Sequence, residues 1–323
     1  MSRLIGHAGP VAAFTAAFTG GRPHHGWLLV GQQGLGKALF ARKAATWLLA
    51  GAPAGFDVPD DHEAARLMAA GSHPDFFILQ PDGETKSGLK RQEIRILQIA
   101  RRKDSPPRVL REFIAETASI ADRKLVVIDA AEDLNENAAN AVLKMLEEPP
   151  DRTVFLLISH SPGRLLPTIR SRCRALRFSR LPDADVRAVL AGTDVDGEDD
   201  DLLVRLAAGC PGRALSLAGA GISALSRELA ALVGQPVARA NPAALALARS
   251  VAQKGREARY AALLDQVPAM IAARAQQLDG AARGQALAEW EQASRLAREA
   301  VPLQLEAAQV AWRLAMHLAA VPT

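Results

Sequence analysis

The chain has 323 residues, 49% of them hydrophobic and 23% charged, which suits two or three packed domains and excludes a disordered polyelectrolyte. A net charge of +4 permits a polyanionic partner without demanding one. Cys173 and Cys210 are too few for a disulfide framework, the first ten residues lack a signal-peptide core, and no segment reaches the ~18 apolar residues of a membrane span. A cytoplasmic protein with no membrane contact is therefore expected.

Residues 10–20 read as a short helix, and "GWLLVGQQGLGKALFARKAATWLLAG" gives an apolar strand, a glycine turn and a helix of about 3.6-residue period. "DFFILQ" at 75–80 is a buried strand and "IRILQIARRK" at 94–103 a helix with a basic flank. Two further buried strands follow, "KLVVIDA" at 124–130 and "TVFLLIS" at 153–159, separated by the helix "NAANAVLKMLEE". Strands alternating with helices indicate an α/β domain whose parallel sheet is covered on both faces. After "LRFSRL" at 176–181 strand signals stop, and a Pro-Asp start opens a helical segment. The acidic run at 194–201 lacks the spacing of a calcium loop and reads as a solvated loop. From about 222 the chain is rich in alanine and leucine, punctuated by "GQP" at 234–236, "NP" at 241–242 as N-cap and first turn, "DG" at 279–280 and "VP" at 301–302, which predicts four or five helices.

"GQQGLGKA" carries the glycines and lysine of a phosphate-binding loop, in which backbone N–H groups at a helix N-terminus and one ammonium meet phosphate. Gly31, Gly34, Gly36 and Lys37 supply those parts, but Ala38 stands where a hydroxyl would hold magnesium. Asp129 closes the strand "LVVID" where such a site needs its acidic residue, and Ala130 follows where a hydrolysing motor carries a glutamate. Glu132 either stands in for that glutamate or caps or flanks the next helix. ATP or ADP binding without hydrolysis is the expectation.

"AANAVLKMLEEPP" at 138–150 followed by "LLPTIRSRC" at 165–173, with "HPDFFIL" and the N-terminal segment through "GLGK", resembles the bacterial clamp-loader branch of the AAA+ proteins over residues 1 to about 220. The resemblance implies an AAA+ P-loop domain at 1–179, a small helical lid at 180–221 and an all-α collar at 222–323 that oligomerises. It implies a subunit accessory to a replicative DNA polymerase, partnered by the delta and gamma/tau subunits in a hetero-pentamer that places a sliding clamp on primed DNA. By the same resemblance Arg172 is an arginine finger reaching a neighbour's nucleotide, with Arg170 and Arg174 interface or surface charges. Ser159 falls in the first-sensor region or is a plain strand-end serine, and Arg213 is the one basic candidate for the second sensor. His7 opens the adenine-contacting segment or is a capping or surface residue. The family's zinc module has no counterpart, since residues 51–75 contain no cysteine and Asp60, Asp61, His62 and His73 make no tetrahedral set; no zinc or other metal is expected. Lys86, Lys90, Arg91, Arg95, Arg101 and Arg102 form a basic stretch that faces DNA or is simply solvated. The rival readings are an ATP-hydrolysing clamp-loader motor, which needs the groups missing at 38 and 130, and a small-molecule P-loop kinase, which the S-R-C triplet and helical tail oppose.

Overall fold

Uninterrupted apolar runs at 26–30, 124–129 and 153–159 require cover on both faces, and in the computed structural model these strands lie side by side within one parallel sheet. The structure describes residues 3–21, 23–82, 93–193, 200–253 and 255–322. They divide into two units, Met1–Asp185 and Val186–Thr323.

In the first unit the elements are α1 (Ala8–Thr19), β1 (Gly26–Val30), α2 (Lys37–Leu49), α3 (Glu63–Ala69), β2 (Phe76–Leu79), α4 (Ile96–Ile99), α5 (Leu110–Ala115), β3 (Lys124–Asp129), α6 (Glu136–Glu147), β4 (Thr153–Ser159), α7 (Pro167–Ser171) and β5 (Arg174–Arg177). α8 (Asp183–Ala191) spans the division. The sheet order is β2-β3-β4-β1-β5, all parallel, so the expected α/β sheet is observed. Alternation along β1 sends Trp27 to an aromatic cluster with Phe14 of α1 and with Phe40 and Trp47 of α2, all at most 2% exposed. Leu28 joins Val126, Ile128, Phe155 and Leu157 in a core with Val142 and Leu146 of α6. With both faces filled, the chemistry of the unit is left to the strand ends.

Three local expectations change. The predicted helix at 94–103 is only α4, because Ile94 forms a parallel bridge with Leu134, its N–H donating to the Asp133 carbonyl at 2.7 Å. Apolar periodicity marked Ile94 and Ile99 as core residues but carried no sign of that long-range bridge. The strand expected at 176–181 starts earlier, as β5, and Phe178 extends its ladder by donating to the Val30 carbonyl at 2.8 Å. The third concerns Asn241-Pro242 in the second unit.

That unit contains α9 (Asp200–Ala207), α10 (Pro211–Gly219), α11 (Ile222–Ala230), α12 (Val237–Val251), α13 (Glu257–Ala275), α14 (Gly280–Ala300) and α15 (Ala307–Ala319) and, among the described residues, no strand. Pro236 rather than Asn241 starts α12, which leaves Pro242 inside the helix. The Asn241 side-chain oxygen instead accepts from Trp312 Nε1 at 2.8 Å, joining α12 to α15. Arg259, 6% exposed, donates to the Gly221 carbonyl at 2.8 Å and to both carboxylate oxygens of Glu228, fastening α13 to α11. The predicted acidic loop falls mostly on 194–199, outside the described residues; Asp200 and Asp201 open α9, where Asp201 pairs with Arg187.

Candidate functional site

β1 runs into the glycine loop and α2 begins at Lys37, the strand-turn-helix context a phosphate cradle requires. Gly34 and Gly36 hold φ of 84° and 83°, where a side chain would be strained. At Gly31 the constraint is space, since a Cβ would stand 2.6 Å from the Phe178 carbonyl oxygen. Lys37 is 2% exposed and its ammonium donates to the carbonyls of Gly31 and Gln32, each at 2.6 Å. Beneath the loop, His7 Nε2–H donates to the Leu35 carbonyl at 2.8 Å and the ring meets Phe178 edge-on. His7 is 9% exposed and makes no side-chain cap, so the capping and surface expectations give way to a buried prop; burial holds its pKa down. Ala38 is exposed.

The register pairs Val30 with Ser159 and Asp129 with Ile158, which brings the ends of β1, β3 and β4 together beside Lys37. Burial raises the Asp129 pKa, opposed by the charges of His160 and Lys37. Ala130 is 4% exposed. Glu132 Oε1 accepts the backbone N–H groups of His160 at 2.5 Å and Ser161 at 2.9 Å, so it clamps the turn after β3 to the turn after β4. It does not cap α6, a task performed by Asn135, whose side chain accepts from the Ala138 N–H. The Ser159 hydroxyl, fully buried, and His160 Nδ1 have no hydrogen-bond partner among the described residues. The strand ends thus gather the Lys37 ammonium, the Asp129 and Glu132 carboxylates and the unpartnered Ser159 hydroxyl and His160 Nδ1 beside the glycine loop. Position 38, an alanine, offers no hydroxyl to a hard cation.

Arg172 ends α7. Its Nη2 lies 2.7 Å from Glu147 Oε1, while Nη1 donates to the Thr168 carbonyl at 3.0 Å and to Ser171 Oγ at 3.3 Å. Burial pushes the Cys173 thiol up to about 12. Within S-R-C, the serine is exposed, the arginine is half-buried, and the cysteine is partly buried with its thiol packed against the core. Arg170 donates to the Pro162 carbonyl and Arg174 lies over the Trp27 ring.

The family model described as "DNA polymerase III, delta subunit" matches residues 6–182, more than half of the chain. The chain belongs to the DNA polymerase III delta-subunit family. The protein named DNA polymerase III subunit delta' of Pseudomonas aeruginosa is 40% identical over 208 residues, covering 63% of this chain and 59% of the relative. Its namesake in Escherichia coli is 34% identical over 205 residues, covering 62% and 57%. The chain thus spans under two thirds of the length of these relatives. A DNA polymerase III gamma subunit-related protein of Thermotoga maritima aligns over 91% of this chain and 94% of its own, at 16% identity and a TM-score of 0.45.

The remaining sequence candidates of this family member scatter. Arg213 lies on α10 of the second unit, 3.8 Å from Asp265 of α13. In the basic stretch Lys86, Lys90 and Arg91 lie outside the described residues, Arg101 is engaged by Glu112 and the Pro106 and Pro107 carbonyls, and Arg102 is exposed. Arg95 N-caps α4, and its backbone N–H donates to Gln98 Oε1. Within residues 51–75, His62 Nδ1 accepts the Ala64 N–H at the start of α3 and His73 Nδ1 accepts the Asp75 N–H. Among the described residues no helix is long and apolar enough to cross a membrane. The sequence reading missed Glu147 and His160. Glu147 was visible inside "LEEPP", but nothing local to α6 indicates where an arginine of α7 will land.

Proposed function

We propose that this chain is a clamp-loader subunit, the delta-prime component, that does not hydrolyse ATP and instead lends Arg172 to the nucleotide site of a neighbouring subunit. One contrast carries the reading. The chain's own P-loop has an exposed methyl at Ala38 and a buried one at Ala130, where hydrolysis needs a hydroxyl and a carboxylate, whereas Arg172 keeps its guanidinium at the surface with donors to spare. A planar cation that stays charged at every working pH can meet the charge developing on a transferred γ-phosphoryl group.

On this reading the partners are the delta and gamma/tau subunits in a hetero-pentamer, with the sliding clamp and primed DNA engaged by the assembled complex, in the cytoplasm. The helices after residue 180 serve as lid, to about 221, and then as collar. Gly31, Gly34, Gly36, Lys37 and Asp129, with Ser159 nearby, fit ATP or ADP as a resident group that is held and not turned over. For that, Lys37 must exchange its loop carbonyls for phosphate oxygens. Arg213, on the second unit, is the proposed second-sensor contact.

The test is clamp loading by complexes reconstituted with wild type or Arg172→Ala. Arginine fingers are worth about 10³–10⁵ in rate at their own site. The complex should lose less, because its other sites keep their own fingers, and ring assembly should persist. Equal loading rates would show that the S-R-C arginine is structural, and Arg172→Lys should rescue poorly because the ammonium lacks the planar fork.

A further inference from the structure

Leu146 and Cys173 converge on one point, the Cα of Gly26. A Cβ there would stand 3.3 Å from Cys173 Sγ and 3.3 Å from Leu146 Cδ2. Leu146 is 2% exposed, and its carbonyl accepts from His25 Nε2–H at 3.0 Å, so the last turn of α6 is fixed to the start of β1. Each anchor is followed or preceded by a charged residue, Glu147 after Leu146 and Arg172 before Cys173. Because the anchors meet at Gly26, the carboxylate and the guanidinium meet above it, 2.7 Å apart.

A lone surface arginine samples many rotamers, and ordering it at the moment of reaction raises the barrier. Here Glu147 holds Nη2 while Thr168 and Ser171 hold Nη1. The guanidinium has more N–H donors than these contacts use, so it can stay in this grip and still donate to an anion. Of these three contacts only Glu147 brings a charge, so it is the partner that sets where the guanidinium points. We infer that Glu147 is a positioning residue, which pre-aligns Arg172 for an oxyanion presented by another subunit. This deepens the arginine-finger reading and rests on it.

The pair is partly exposed, its side chains 35% and 41% accessible, so its alignment bias is that of a surface ion pair, a population ratio of about 1.5 to 5. The experiment uses reconstituted complexes whose other motor sites are silenced at their phosphate-loop lysines, with turnover of the remaining site measured against ATP concentration. Glu147→Gln should lower kcat about 1.5- to fivefold with KM for ATP unchanged, and Glu147→Asp should restore part of the loss. Arg172→Ala should lower kcat far more, and Glu147→Gln should add nothing in its background. Unchanged kcat in Glu147→Gln alongside a slow Arg172→Ala would overturn the positioning role while leaving the finger standing. Unchanged kcat in Arg172→Ala would remove the finger itself. A Glu147→Gln variant that assembles poorly, with normal kcat in the complexes that do form, would mark the pair as structural and overturn the inference as well.

Discussion

Replacing Asp75 with Asn removes a charge that the fold uses three times. The residue is fully buried at the entrance to β2, and its carboxylate accepts the backbone N–H groups of Ser119 at 2.6 Å and of Ile120 and Ala121 at 2.8 Å each. Burial raises its pKa, but the three N–H bonds outweigh that and the net value is lowered, helped by His73. These bonds tie the approach to β3, and Asp75's own carbonyl accepts the Leu125 N–H that opens the β2-β3 ladder. An asparagine retains one accepting oxygen and turns an NH2 toward donors. With hydrogen bonds to charged groups worth about 1.5–3 kcal/mol each, and part of the set surviving, the expected loss is about 2–4 kcal/mol. Amide hydrogen exchange over 119–129 reads it directly, since tenfold in protection is about 1.4 kcal/mol; protection should fall about 30- to 900-fold in Asp75→Asn. Because the folded carboxyl titrates below its ordinary 3.8, this stabilisation is complete well above that value, begins to fade near it and is lost as pH falls through the lower folded value. The difference between wild type and variant should therefore shrink in acid. Equal protection at pH 7 would refute the assignment of the carboxylate as the loop's anchor.

Gly31→Ala sets a methyl 2.6 Å from the Phe178 carbonyl oxygen and should cost about 1–3 kcal/mol, lowering the melting point of the first unit in calorimetry; an unchanged transition would mean the loop can move away from β5. Cys173, its thiol pushed up to about 12 from 9.0, should react with iodoacetamide at pH 8 at least about 100-fold more slowly in the native protein than in urea, as read by mass spectrometry. The same raised value means a stability contribution that is complete at neutral pH and lost as pH rises above about 9, where the unfolded thiol ionises.

The parallel sheet and the P-loop were legible because their signals are local: unbroken apolar runs mark strands covered on both faces, and glycine spacing marks a turn that feeds a helix. Long-range pairing left no such mark. Ile94 looked like one turn of a helix until Leu134 claimed its backbone, and Asn241-Pro242 looked like a helix start although Pro236 already supplied one. Glu132 has the same origin, since its partners at 160 and 161 lie on a different strand end. The site followed this division. Lys37 and Asp129 could be placed from strand-end logic, whereas Glu147 reaches Arg172 only through the shared packing of Leu146 and Cys173 on Gly26.

The altered phosphate loop has a physical logic at each position. Gly31 is confined by Phe178, Leu35 presents its carbonyl to His7, and Lys37 spends its ammonium on the Gly31 and Gln32 carbonyls, so these residues serve the fold whether or not phosphate arrives. Ala38 is exposed, and a hydroxyl there serves only a metal-bearing ligand. Stability alone can thus preserve the outline of the motif while position 38 drifts. Lys37→Met keeps the bulk and strands two carbonyls, one of them already close to solvent, for about 1–2 kcal/mol, or a 5- to 30-fold loss of exchange protection across residues 26–36. Ala38→Ser should leave that protection within twofold of wild type, and it should not create an ATPase, because Ala130 still offers no carboxylate to orient water. Full protection in nucleotide-free Lys37→Met would mean that the lysine is kept for a ligand and not for the loop. Robust hydrolysis by Ala38→Ser would mean that Asp129 or Glu132 can orient the attacking water, and that a hydroxyl at position 38 is the one group the loop needs.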